Sequence, residues 1–213
     1  MITNEPSSPK NEFDYVGLIH NQVVSEFVKQ TEGEKLTNEE VLDKVKTITL
    51  SNPDYAKRFG TEYLGLTIKQ VNEGIKDFPN EFKNIINSLP ISSEAKEIFN
   101  GLLNETFEIE NSDLSYDRYR EYVLILEEKI IDNKSLPKKE KEAVLCSTSV
   151  ARYSSYLWFG KINEGSTSKK FFGWVIAGDV AGGILGAVFG GVVGAIGGAS
   201  GGSSLVHTIN ESK

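Results

Sequence analysis

Apolar side chains recur along most of this chain at steps of three and four, the spacing that lines one face of an α-helix, and no run alternates in the manner of a half-buried strand. The pattern predicts an all-α protein. From about Phe13 to Gln30, the residues Phe13, Val16, Gly17, His20, Val23, Val24 and Phe27 share a face. Thr37-Asn-Glu-Glu40 reads as a capping box opening a second helix, which ends before Asn52-Pro53. Leu64, Ile68, Val71, Ile75 and Phe78 predict a third, core helix that Pro79 stops. A short helix over 80–89 is bounded by Pro90. Ser92-Ser93 caps the next, which carries Ile98, Leu102, Leu103 and Phe107 and breaks in the polar stretch Glu108 to Leu114. Tyr116, Tyr119, Val123, Leu126 and Ile130 mark a sixth, and a seventh opens at Ser135-Leu-Pro137 and reaches about Phe159. Short connectors between such helices imply antiparallel neighbours, so residues 12–162 are expected to form a bundle of about seven helices. Residues 1–11, polar and rich in Pro and Ser, read as a disordered tether.

After Lys161 the pattern changes. Residues 163–170 have the composition of a linker, and residues 171–213 lose almost all charge. Gly178, Gly182, Gly186, Gly190, Gly194, Gly198 and Gly202 occupy every fourth position, with Val, Ile, Leu, Phe and Ala filling most other places. Each helical glycine costs about 1 kcal/mol relative to alanine, so an isolated helix of this kind would not form in water. The stripe makes sense where bare backbone is pressed against another helix, as in small-xxx-small contacts. A C-terminal glycine-zipper helix or helical hairpin is therefore expected, with Gly182, Gly186, Gly190 and Gly194 as its central contacts. At about 1.5 Å per residue the stripe spans roughly 36 Å, against about 30 Å of bilayer hydrocarbon. Lys169, Lys170, Phe171, Phe172 and Trp174 just ahead have the composition of an interfacial membrane anchor, or of aromatic rings packed on the bundle. Asp179 opposes insertion unless it lies near an interface or faces a partner. The run from Gly197 to Ser204 also reads as a flexible linker, with Leu205 to Ile209 a loose end.

Composition adds mainly exclusions. A net charge of −7 without a basic stripe argues against nucleic acid. With two histidines, one cysteine and no clustered carboxylates, the sequence offers no metal site of usual spacing, no cofactor motif and no acid–base or nucleophile pair, so a non-enzymatic protein is expected. Cys146, between apolar neighbours, reads as a buried thiol. His20 and Asn21 on the first helix, and Arg152 and Tyr153 on the seventh, are the candidate polar site; a satisfied core histidine and a buried ion pair to a glutamate are the plainer explanations.

Phe13-Asp-Tyr-Val-Gly-Leu-Ile-His-Asn21 and Val150-Ala-Arg-Tyr-Ser-Ser-Tyr-Leu-Trp158, followed by Ala177-Gly-Asp-Val-Ala-Gly-Gly183, resemble a group of uncharacterised Bacteroidetes proteins usually encoded with an export or lipoprotein leader. That resemblance implies an exported or envelope protein whose leader has been removed; without one, a cytoplasmic location is expected. The tail is also similar to the glycine-zipper peptides of class II bacteriocins, which implies helix association in membranes. The leading expectation is a helix-association or membrane-associating protein acting through the tail, alone, as a homo-oligomer or with a protein partner. The alternative is a soluble envelope or interaction protein whose zipper helix packs inside its own bundle.

Overall fold

The structure is a computed structural model that describes residues 4–75, 80–111, 115–163 and 169–211; every regular element among them is an α-helix. In chain order these are α1 (Asp14–Gln30), α2 (Asn38–Ser51), α3 (Pro53–Phe59), α4 (Ile68–Ile75), α5 (Asn80–Ser88), α6 (Ser93–Asn111), α7 (Tyr116–Asp132), α8 (Lys138–Asn163) and α9 (Lys169–Glu211).

Local signals explain most boundaries. Thr37 and Glu40 form the expected capping box at the start of α2. Asn52-Pro53 ends α2 and also starts a helix absent from the sequence reading. The Asn52 side chain accepts the Tyr55 N–H at 2.9 Å, and Pro53 takes the first helical position. The third expected helix begins later than its periodicity implies. Thr67 and Gln70 make a second reciprocal cap, so α4 opens at Ile68 and Leu64 lies in the irregular segment before it. Phe78 and Pro79 lie outside the described residues. Helix α6 runs through Glu108 to Asn111 rather than breaking there, and α8 continues to Asn163.

The long helices form two shells. Inside lie α8 and α9, packed on each other; α1, α2 and α6 cover α9, and α1 and α7 cover α8. Helix α8 is buried almost all round from Ala143 to Ser155. Its many small hydroxyls are tolerated there because they bond back to the helix: Ser147 to the Ala143 carbonyl, Thr148 to Leu145 and Ser155 to Arg152. Ser149 instead serves α1, whose first residues have no side-chain cap. Its hydroxyl accepts the Gly17 N–H at 3.0 Å and donates to the Asp14 carbonyl at 2.9 Å. Gly17 permits that approach, since a Cβ there would overlap the Ser149 carbonyl and the Tyr153 ring.

Two expected divisions of the chain are not seen. Residues 4–11, read as a tether, lie on the bundle with Pro6, Ser8 and Asn11 buried, held through polar contacts to α7 and α8. The C-terminal segment is the inner layer of the bundle rather than an appendage, and its end is helical to Glu211, including the Gly197–Ser204 run read as a linker. Residues 164–168 of the expected linker lie outside the described residues.

Candidate functional site

Helix α9 is broken at Gly191, which has φ 57° and ψ −144°, backbone that only glycine adopts readily. The break folds it into two antiparallel limbs, residues 169–190 and 192–211. Glycines of the fourth-position series then meet in pairs: Gly178 with Gly202, Gly182 with Gly198, and Gly186 with Gly194. A Cβ added at Gly182, Gly186, Gly194 or Gly198 would overlap the carbonyl of its opposite number, so the limbs approach backbone to backbone. Gly190 lies at the tip and faces Leu64 instead. Gly197 faces the Leu64 carbonyl, which is why the chain from Leu64 to Leu66 can lie close against the second limb.

The outward faces of the limbs are apolar. Val175, Ile176, Val180, Ile184 and Ile196 are fully buried. At the tip the cover ends: Phe189 is 63% exposed and Leu64, beside it, 47%. These two line one groove with Leu66 and Leu185, and Val188 shares a second with the exposed Lys138 and Lys139. Of the expected anchor, Phe172 is buried against Trp158, ring centroids 5.5 Å apart, and Trp174 is half-buried. The inward turn of this pair follows from the rings' apolar area, which the bundle covers. The side chains of Lys169, Lys170 and Phe171 lie outside the described residues.

Asp179 is the one charged residue between Phe172 and Val206. It is fully buried at the junction of four helical segments. Its Oδ2 accepts a short hydrogen bond from Ser154 of α8 and a longer one, 3.4 Å, from the Trp158 indole N–H. His20 Nε2 of α1 lies 3.3 Å from the same oxygen, a contact off the alignment of a hydrogen bond, and His20 Nδ1 is 3.5 Å from the Ser200 hydroxyl of the second limb. Asp179 Oδ1 has no partner. Ser200, His20 and Asp179 thus follow one another like a nucleophile, base and orienting acid. All three are fully buried, and none lines the grooves at the hairpin tip.

The other candidate residues form a second cluster. Arg152, also fully buried, donates to Glu127 at 3.1 and 3.0 Å, to Asp14 at 2.6 Å and, by a short bond, to the Pro6 carbonyl. Tyr153 donates to Asp14 at 3.0 Å, and Asn21 donates to the Tyr153 carbonyl at 2.6 Å. Every strong contact is internal, so this cluster clamps α1, α7, α8 and the N-terminal segment together. His20, Asn21, Arg152 and Tyr153 therefore serve two clusters rather than one site. Ser154, Asp14 and Glu127 complete the two clusters without a local sequence signal that joins them, and Asp179 faces partners from α1 and α8.

Burial pushes the Cys146 thiol far above its usual range, with Glu142 and Glu12 adding to the effect. No group of three or more His, Cys, Asp or Glu side chains among the described residues is placed to hold a metal. No family model, curated protein or solved structure matches the chain. By fold, the protein is an all-helical bundle that encloses an apolar helical hairpin.

Proposed function

We propose that this is a membrane-associating protein which keeps its C-terminal hairpin inside a sheath of amphipathic helices and delivers it, tip first, to a lipid bilayer. The observation that carries the reading is the hairpin itself. Residues 172–206 form an apolar stretch of bilayer-spanning composition. Folded at Gly191, it gives limbs of roughly 28 Å and roughly 22 Å at about 1.5 Å per residue; the first is close to the roughly 30 Å of hydrocarbon, and the helix that runs on to Glu211 extends the second to about 30 Å.

Transfer leaves the glycine faces undisturbed. Close backbone packing between the limbs does not depend on the hydrophobic effect and persists in lipid. What changes is the cover over Val175, Ile176, Val180, Ile184 and Ile196, which acyl chains can supply in place of α1, α2, α6 and α8. Of the released helices, α1, α2 and α6, apolar on one face and charged on the other, suit the headgroup boundary. Phe189 and Leu64 give the first contact, with Lys138 and Lys139 beside them for phosphate.

A second reading has its own support: the hairpin's flanks are already covered and Asp179 already faces His20, as in a permanent soluble core. Vesicle co-flotation separates the two. The full chain is expected to float with phosphatidylcholine–phosphatidylglycerol vesicles. Phe189→Asp is expected to float several-fold less, with an unchanged unfolding midpoint. Absence of flotation across the acidic and neutral range refutes the membrane reading and leaves the soluble core.

A further inference from the structure

We infer that the groove beside the hairpin tip is a seat for one diacyl phospholipid with an anionic headgroup, its phosphate on Lys138 and Lys139 and an acyl chain along Val188; this rests on the membrane reading above and names the lipid it takes.

The groove lies between the segment joining α5 to α6 and the first turn of α8, with a volume of about 390 Å³, inside the range of about 300–1,000 Å³ usual for small-molecule sites. Its lining is mostly apolar: Phe99 and Ala143 are buried, and Ile91 and Val188 are half-buried. Lys138 and Lys139 line the same groove and are exposed. Lys141, the next cation along α8, is already engaged, donating to the Ile131 carbonyl at 2.8 Å. Among the residues lining the groove, Glu140 is the one acid, and its two oxygens accept the Ser92 N–H at 3.0 Å and the Ser92 hydroxyl at 2.5 Å. Two cations therefore outnumber one carboxylate that is held in joining α6 to α8.

Cations beside an apolar channel complement an amphiphile with an acidic head. The lysine stems can lie along the apolar wall while their ammonium groups meet phosphate. A phosphatidylcholine head brings its own cation to the same place and gains less. The whole chain, at a net charge of −7, is repelled by an anionic surface, so a preference for anionic lipid has to come from a local site such as this one.

A second groove, of about 250 Å³, adjoins the first at Pro90 and is lined by Ile85, Leu89, Leu185 and Phe189. Val188 and Phe189 thus stand between two channels, one for each acyl chain. A lipid seated there lays its chains on the residues that enter the bilayer first.

Methyl NMR of the full chain, titrated with dihexanoyl phosphatidylglycerol as monomers, tests the seat. Saturable shifts are expected at the Ile91, Ala143 and Val188 methyls, and dihexanoyl phosphatidylcholine is expected to bind about fivefold or more weakly. Lys138→Gln combined with Lys139→Gln should weaken phosphatidylglycerol binding about 25-fold, at about fivefold per lysine. Both side chains are exposed, so the fold is retained. Lys46→Gln combined with Lys57→Gln removes the same charge from exposed positions outside the groove and should leave binding unchanged. Glycerol phosphate, a head without chains, should not shift these methyls. Equal affinity for the two lipids, equal effects of the two lysine pairs, or glycerol phosphate bound as tightly as the lipid overturns the seat. If neither short-chain lipid binds while the full chain floats with vesicles, the seat is overturned and the membrane reading stands. Neither binding nor flotation overturns both.

Discussion

Arg152 and Asp179 each carry a charge fully out of water, and the bundle treats them differently. Arg152 meets two carboxylates and a carbonyl, whereas Asp179 has an imidazole, two neutral donors and one oxygen with no partner. Removing one member of a buried pair strands the other, so Arg152→Leu is expected to lower unfolding free energy by about 3–5 kcal/mol in urea titration. Truncating Lys10, whose pair with Glu128 is exposed, should leave the midpoint unchanged. A loss no larger for Arg152→Leu than for Lys10→Ala would show that the cluster does not clamp the bundle. That Arg152 would pair with a buried glutamate was legible in its place on an apolar helix; which glutamate was obscured by the choice of stripe. The buried face of α7 runs Tyr116, Tyr119, Val123, Glu127, Ile130, with Glu127 in the place the periodicity assigned to half-buried Leu126. A carboxylate on an apolar stripe was the available signal. His20 was legible as a core histidine, but its partner Asp179 lies 159 positions away, and no local rule links them.

At the scale of the element, α9 is where sequence and structure are most closely bound. The fourth-position glycines stand out in the sequence because each costs about 1 kcal/mol in a helix relative to alanine. The turn is less legible. Gly190-Gly191 is one of several glycine doublets in the segment, and only the positive φ of Gly191 distinguishes it. The hairpin makes its glycines inequivalent. A Cβ at Gly186 would overlap the Gly194 carbonyl, whereas one at Gly183 would sit in ordinary contact with Ala199 and Val150, at 3.5 and 3.6 Å. Gly183→Ala is therefore expected to gain about 0.5–1 kcal/mol from helix propensity. Gly186→Ala should lose about 1–3 kcal/mol as the limbs are forced apart. Thermal unfolding of the two variants checks this, and equal shifts would mean that the limbs do not meet at Gly186. The unexpected helix α3 and the late start of α4 have a simpler cause: Asn52-Pro53 both ends one helix and starts the next, and the Thr67-Ile-Lys-Gln70 cap sets the start of α4 in place of the apolar stripe from Leu64.

For the whole molecule, the arrangement of shells matters more than any single helix. An all-α bundle was legible from periodicity. That its most apolar helix would lie inside, covered by α1, α2, α6 and α8, depends on long-range packing that periodicity does not encode. The same arrangement keeps Cys146 buried, its thiol pushed up by burial, so a thiol reagent at mildly alkaline pH should leave it untouched. That inertness permits the most direct test of the central claim. Phe189→Cys places a reactive thiol at the exposed hairpin tip, where an environment-sensitive fluorophore can be attached without entering the core. With phosphatidylcholine–phosphatidylglycerol vesicles, its emission is expected to shift to the blue and become quenchable by spin labels on the acyl chains. Emission that stays that of a water-exposed probe, at every pH and lipid ratio at which the protein remains folded, would contradict delivery of the hairpin to the membrane.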